Sequence, residues 1–235
     1  MGYYGLNYMY LFDPTYLLVI IAMIITFAVS VYMNATFAKY QRVDARINMT
    51  AAEAAMRIMQ SAGIDNVKIG RVNGNLTDHY APTKKELNLS DTTFASRSIA
   101  SIGVAAHEVG HAIQDQTRFA PLVFQISIAP ALSIVSQISV PMIVIGLLLG
   151  FMQLYKIGII AFAATFAYQL ITLPIEFDAS RRAIRNLSEL GILDASELYG
   201  VKKVLTAAAL TYVAAAASTL LQLLRFMLLA NRRRD

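Results

Sequence analysis

The run His107-Glu108-Val109-Gly110-His111 holds the residues best placed to do chemistry. Two residues four apart on an α-helix lie about 40° apart around the axis and one turn apart along it. Two imidazoles in that relation can reach one metal ion. Glu108, roughly 100° round from His107, can reach a water on that ion without becoming a ligand. This H-E-x-x-H arrangement is the one used by zinc-dependent peptide hydrolases, which keep one coordination position open. The chain has three histidines, at 79, 107 and 111, and two of them fall in the pattern. It has no cysteine, so disulfides and thiolate metal sites are excluded and any zinc must use His and carboxylate ligands.

The pattern needs a helix, and the flanks supply one. Residues 93–114 contain no proline and are rich in alanine, and Ser90, Asp91 and Thr92 are N-cap candidates. Gly103 and Gly110 each weaken a helix by roughly 1 kcal/mol relative to Ala, and their small size would let another backbone or a substrate come close. Upstream, Thr50-x-x-Glu53 has capping-box spacing. The Ala-rich stretch after it reads as an amphipathic helix ending at Ala62, with Gly63 as its C′ residue and Met56, Met59 and Ile64 in the core. Residues 67–69 alternate like a strand, Asn73-Gly74 is a hairpin signal, and 75–80 would return. In 84–90, Leu87 and Leu89 share one face, with Glu86 and Asn88 on the other. The expectation is a short antiparallel sheet against the H-E-x-x-H helix, with strand 86–90 either internal or an edge that pairs with extended substrate. His79, Asn88 and Arg181 are candidates for contacts to substrate or transition state. The competing readings are a sheet role for His79 and a juxtamembrane role for Arg181.

The rest of the chain is apolar. Hydrophobic residues make up 57% of it and the mean hydropathy is +0.52, outside the range of an ordinary soluble domain. The runs 16–38, 119–155, 157–175 and 204–224 carry no Asp, Glu, Lys or Arg, and each is long enough to cross about 30 Å of hydrocarbon. Pro121, Pro130 and Pro141 mark the second as one long kinked helix, giving four spans. The first is too long for a signal-peptide core and follows no Lys or Arg, so it reads as an uncleaved span beginning near Asp13-Pro14. The net charge of +5 sits beside the spans, at Lys39, Arg42, Arg46, Arg181, Arg182, Arg185, Lys202 and Lys203. That is the pattern of cytoplasmic juxtamembrane loops, and it argues against nucleic-acid binding. Arg225 and the terminal arginines run against this orientation. Ala214 and Ser218, four apart, suit helix packing within or between subunits, so self-association is a candidate property.

The third ligand should come from a carboxylate returning to the same membrane face. Two spans separate His111 from Glu176, an even number of crossings. Pro174 marks either a kink or the first turn of a new helix there. Glu176 is the preferred ligand and Asp178 the alternative. On a helix the two point some 200° apart, so both cannot face one ion.

His107-Glu108-Val109-Gly110-His111, two spans, and then Glu176-Phe177-Asp178-Ala179 resemble the YugP-type membrane zinc metallopeptidases. The likeness runs over most of the chain, including Leu76-Thr77-Asp78-His79-Tyr80 and Ser96-Arg97-Ser98-Ile99-Ala100. More distantly the layout is similar to the Ste24/HtpX-type gluzincins, with H-E-x-x-H followed by E-x-x-x-D. The resemblance implies one Zn²⁺ per chain held by His107, His111 and Glu176, with Glu108 as general base. The final Asp of E-x-x-x-D falls on Ser180 here. Ser180, or Asp178 in its place, would then support a zinc-bound histidine.

The expected protein is therefore a mainly α multi-pass membrane protein with about four transmembrane helices and a small α+β zincin-like catalytic region. Its divisions are an N-terminal span (1–38), the catalytic region (39–120), a transmembrane hairpin (121–175), a helical segment bearing the third ligand (176–203) and a final span with a basic tail (204–235). It would hydrolyse peptide bonds of protein or peptide substrates, with the active site on the cytoplasmic face of the plasma membrane. Two other readings compete. In an intramembrane site-2-like protease the H-E-x-x-H helix would itself be a span, yet 99–106 is too short an apolar run. In a non-catalytic membrane scaffold the metal site would be vestigial, and Glu108 would have no task.

Overall fold

The structure is a computed structural model that describes residues 13–232. Residues 1–12 of the N-terminal division, and residues 233–235 of the basic tail, lie outside the described residues. Among the described residues, seven helices and three strands follow in order. They are α1 (Tyr16–Gln41), α2 (Ala51–Ser61), β1 (Lys68–Val72), β2 (His79–Ala81), β3 (Glu86–Ser90), α3 (Asp91–Phe94), α4 (Ile99–Gln116), α5 (Ala120–Leu148), α6 (Met152–Glu189) and α7 (Ala195–Arg232). Four of them, α1, α5, α6 and α7, are long and apolar enough to cross a membrane. Side chains such as Leu17, Ile24, Phe27, Leu148 and Ile160 are exposed on them, as a lipid-facing surface requires. Helix α4 is not among these candidate spans.

Packing divides the chain into two units. One comprises the chain up to Ala28, residues 130–169 and the chain from Ala214. Within it the Tyr155 hydroxyl donates to the Phe226 carbonyl at 2.7 Å, and the Phe162 and Phe226 rings meet edge to face. Ser218 bonds the Thr26 hydroxyl at 2.9 Å, so its small side chain serves packing inside the chain. Gly146 and Gly158 allow close helix contact, since a Cβ at Gly146 would lie 2.5 Å from the Tyr155 backbone nitrogen.

The other unit comprises 29–129 and 170–213 and holds every residue discussed as a site. Its core is formed by Ala54, Ile58, Leu87, Leu89, Ile102 and Val109, joined by Ala183, Leu187, Val201 and Leu205 from α6 and α7. Local chemistry sets the elements. Thr50 and Glu53 cap α2 reciprocally, with the Thr50 N–H donating to Glu53 at 2.7 Å. The α2 C-terminus closes as a Schellman turn. Gly63 at φ +66° donates its N–H to Gln60, and the Ile64 N–H reaches the Met59 carbonyl. Met59 and Ile64 are buried as expected, whereas Met56 is half exposed.

The sheet differs from the sequence expectation. Its order is β1-β3-β2, with β1 parallel and β2 antiparallel to β3. The sheet is mixed, and Asn73-Gly74 does not join paired neighbours. A dipeptide turn signal is local, whereas the central place goes to β3, whose Leu87 and Leu89 are fully buried. Since β3 is flanked on both sides, it is the internal strand and not an edge for substrate. The N-cap candidates 90–92 also serve a different helix. They open the short α3, and α4 starts later, where the Ser98 hydroxyl accepts from the Ser101 N–H at 3.1 Å.

Candidate metal centre

Helix α4 lies between the sheet side and α6, and its glycine sets the distance to α6. A Cβ at Gly110 would lie 2.5 Å from the Ala179 carbonyl oxygen, so any side chain there would push apart the two helices that carry the candidate ligands. Gly103 meets α7 in the same way, at Val201. The close approach anticipated for these small residues is thus to backbone and to a packed helix. Pro174 does not start a new helix. It lies inside α6, which continues to Glu189 and brings Glu176 to the α4 histidines.

The three side chains converge. His107 Nε2 and His111 Nε2 are 3.2 Å apart. His107 Nε2 lies 3.2 Å from Glu176 Oε2, and His111 Nε2 lies 3.8 Å from Glu176 Oε1. Ligands of a tetrahedral zinc with bonds of about 2.0–2.1 Å are separated by about 3.3 Å. The donor set of two neutral nitrogens and one carboxylate, with mutual distances near that value, therefore fits a Zn²⁺ ion. Its donor atoms all lie within 4.8 Å of one another.

The far side of each imidazole is held. Gln114, fully buried, donates from its amide nitrogen to the Ile175 carbonyl at 2.8 Å and to Asp178 at 3.0 Å. Its amide oxygen therefore faces His111 Nδ1, at 3.0 Å. An amide oxygen only accepts, so Nδ1 carries the hydrogen and Nε2 presents a lone pair to the centre. Ser180 Oγ lies 3.1 Å from His107 Nδ1. Asp178 is turned away, taken up by Arg182 at 2.6 Å as well as by Gln114. Burial works against protonation of His107. The hydrogen bond to Glu176 and the charges of Glu108 and Glu176 outweigh it, and hold its pKa above the ordinary histidine value. The surroundings thus favour positive charge at this nitrogen, which a divalent cation also needs.

Glu108 is buried and is not one of the three convergent donors. Its Oε2 accepts the Tyr80 N–H of β2 at 2.9 Å. The same tyrosine donates its hydroxyl to Asp115, two turns further along α4, at 2.6 Å. Burial and that carboxylate push the Tyr80 pKa well above its usual value, so the phenol stays protonated. Strand β2 is thereby tied to α4 at both positions. His107, Glu108, Glu176 and Ser180 line a cavity of about 250 Å³ together with Tyr212 of α7, and the Tyr212 phenol is a hydrogen-bonding neighbour of Glu176.

Three of the sequence candidates are not brought to this cavity. His79 and Asn88 pair with each other across β2 and β3, at 3.3 Å, and His79 Nδ1 contacts the Thr77 carbonyl. Neither lines the cavity wall. Arg181 lines a different cavity. Conversely, Gln114 and Tyr212 escaped the sequence reading. Gln114 has a weak signal, a polar residue three after His111 on the same helix. Tyr212 has none, as one aromatic in an Ala-rich apolar run.

A family model described as "Putative neutral zinc metallopeptidase" matches residues 15–231. The chain is 43% identical over 218 residues to the "Putative membrane protease YugP" of Bacillus subtilis (strain 168), an overlap of 93% of this chain and 97% of that one. No solved structure matches it. The chain belongs to this neutral zinc metallopeptidase family, and its four apolar helices accord with the membrane setting of that relative.

Proposed function

We propose that the protein is a membrane-embedded zinc metalloendopeptidase of gluzincin type, hydrolysing peptide bonds of protein or peptide substrates at the membrane surface. One Zn²⁺ per chain would be held by His107, His111 and Glu176, with Glu108 as the general base. The observation that carries the reading is the convergence of two imidazole nitrogens and one carboxylate, from α4 and α6, at separations of 3.2–3.8 Å.

When bound, zinc supplies acidification of a water and polarisation of the substrate carbonyl. The remaining work falls to side chains. Glu108, fixed by the Tyr80 N–H, takes the proton of the attacking water on a carboxylate oxygen and then passes it to the departing amine. Gln114 and Ser180 hold the histidine rings, and Asp178 holds Gln114, a support typically worth 10–100-fold in metal affinity or activity. Tyr212 lines the same cavity as Glu108, where its phenol can donate to the oxyanion as the carbonyl carbon becomes tetrahedral. Replacing it with Phe should lower kcat about 10²-fold or more while KM and zinc content stay near wild type. An unchanged kcat would remove it from the reaction.

The juxtamembrane cations favour a cytoplasmic active site in a plasma-membrane protein. The site-2-like alternative is disfavoured because α4 is not among the candidate spans. The scaffold alternative leaves unexplained a glutamate held beside the donor triad. The test is hydrolysis of a fluorogenic peptide by the detergent-purified full chain. Chelation with 1,10-phenanthroline should abolish turnover and added Zn²⁺ should restore it. Undiminished turnover by metal-stripped protein would sink the reading.

A further inference from the structure

A second cavity, about 970 Å³, lies in the same unit between α6 and α7. Along α6 its wall runs from Phe177 to Ser188, residues three to four apart on one helix face. That is about 16 Å of helix. Arg181 and Arg185 face it from α6, and Lys202 and Lys203 from α7. All four are exposed. The one carboxylate in the wall, Glu189, pairs with Arg185 at 2.8 Å. Such exposed pairs contribute little and exchange easily for another anion. Between the cations stand the hydroxyls of Ser180, Ser188 and Thr206, which can bond a peptide backbone.

Ser180 belongs to both cavities. It sits 3.1 Å from His107 Nδ1, so whatever fills the basic cavity ends at the wall of the metal centre. From Ser180 to Ser188 is about 12 Å along α6, the length of about four residues of extended chain. A chain entering the metal centre past Ser180 would therefore lay its next few residues between two walls of positive charge.

We propose that this cavity is the binding subsite for an acidic segment of the substrate, so that the enzyme selects peptides with Asp or Glu within about four residues of the cleaved bond. This rests on the peptidase reading, but its test is a binding measurement that needs no turnover. Two fluorescent peptides of equal length, one with an Asp/Glu block and one with Asn/Gln in its place, are titrated into full-length Glu108→Gln protein in zwitterionic-lipid nanodiscs. The acidic peptide should bind at least tenfold more tightly at low salt, and the gap should shrink as salt screens the cations. In the same background, Lys202→Glu with Lys203→Glu should close it. The milder Arg181→Gln, at an exposed position that packing does not constrain, should narrow it. Equal binding of the two peptides, or a gap that survives charge reversal, would overturn the proposal.

Discussion

Glu108→Gln is expected to leave zinc bound at one ion per chain and to lower kcat by about 10²–10⁴-fold, the usual worth of a positioned general base. The substitution preserves shape and touches none of the three donors. The Tyr80 N–H that now meets Glu108 at 2.9 Å can still be received by the amide oxygen, so strand β2 keeps its place against α4. An amide cannot take a proton from water near neutral pH. Zinc analysis and kcat on the same preparation separate the two effects. A kcat within tenfold of wild type, with zinc present, would show that the proton goes elsewhere. Lost zinc would show that Glu108 is part of the metal-binding set and that the division of labour drawn from the geometry is mistaken.

Much of this arrangement was legible because it is local. The spacing of His107 and His111 follows from one helical turn, the Thr50–Glu53 box and the Gly63 turn from capping chemistry, and the four long helices from runs without charge. The elements that escaped depend on contacts distant in sequence. The order β1-β3-β2 is decided by which strand buries Leu87 and Leu89, not by the Asn73-Gly74 turn. Proline rules allowed either a kink or a new helix at Pro174, and α6 continues through it, as apolar helices held by neighbours commonly do. Tyr212 reaches the cavity from α7, a helix that lies close on α4 where Gly103 meets Val201 and Gly200 meets Ile99, a tertiary contact that the apolar run around Tyr212 does not announce. Glu176 lay between these cases. Counting membrane crossings led to the expectation of a returning carboxylate, whereas the turn of α6 that points Glu176 at the histidines goes with the packing of Ala179 on Gly110 and the Gln114 bond to the Ile175 carbonyl.

That turn of α6 separates Glu176 from Asp178 and makes the choice between them testable. Glu176 Oε2 and Oε1 approach His107 and His111, whereas Asp178 is committed to Arg182 and Gln114. Glu176→Ala removes a donor from the centre. If zinc sites of about 10–16 kcal/mol divide roughly evenly among four ligands, the loss is about 2.5–4 kcal/mol, a weakening of about 10²–10³-fold, and the purified protein should come through dialysis almost free of zinc. Asp178→Ala leaves all three donors, frees Arg182 and loosens Gln114, and with Gln114 the His111 ring. It should retain zinc, with affinity reduced about 10–100-fold as for other residues that support a metal-binding histidine. Competition titration against a chromophoric chelator measures both constants. If Asp178→Ala emerged without metal and Glu176→Ala kept a full ion, α6 would have to be rotated by roughly 200° from the orientation in which Ala179 meets Gly110, and the site would need to be rebuilt around the other carboxylate.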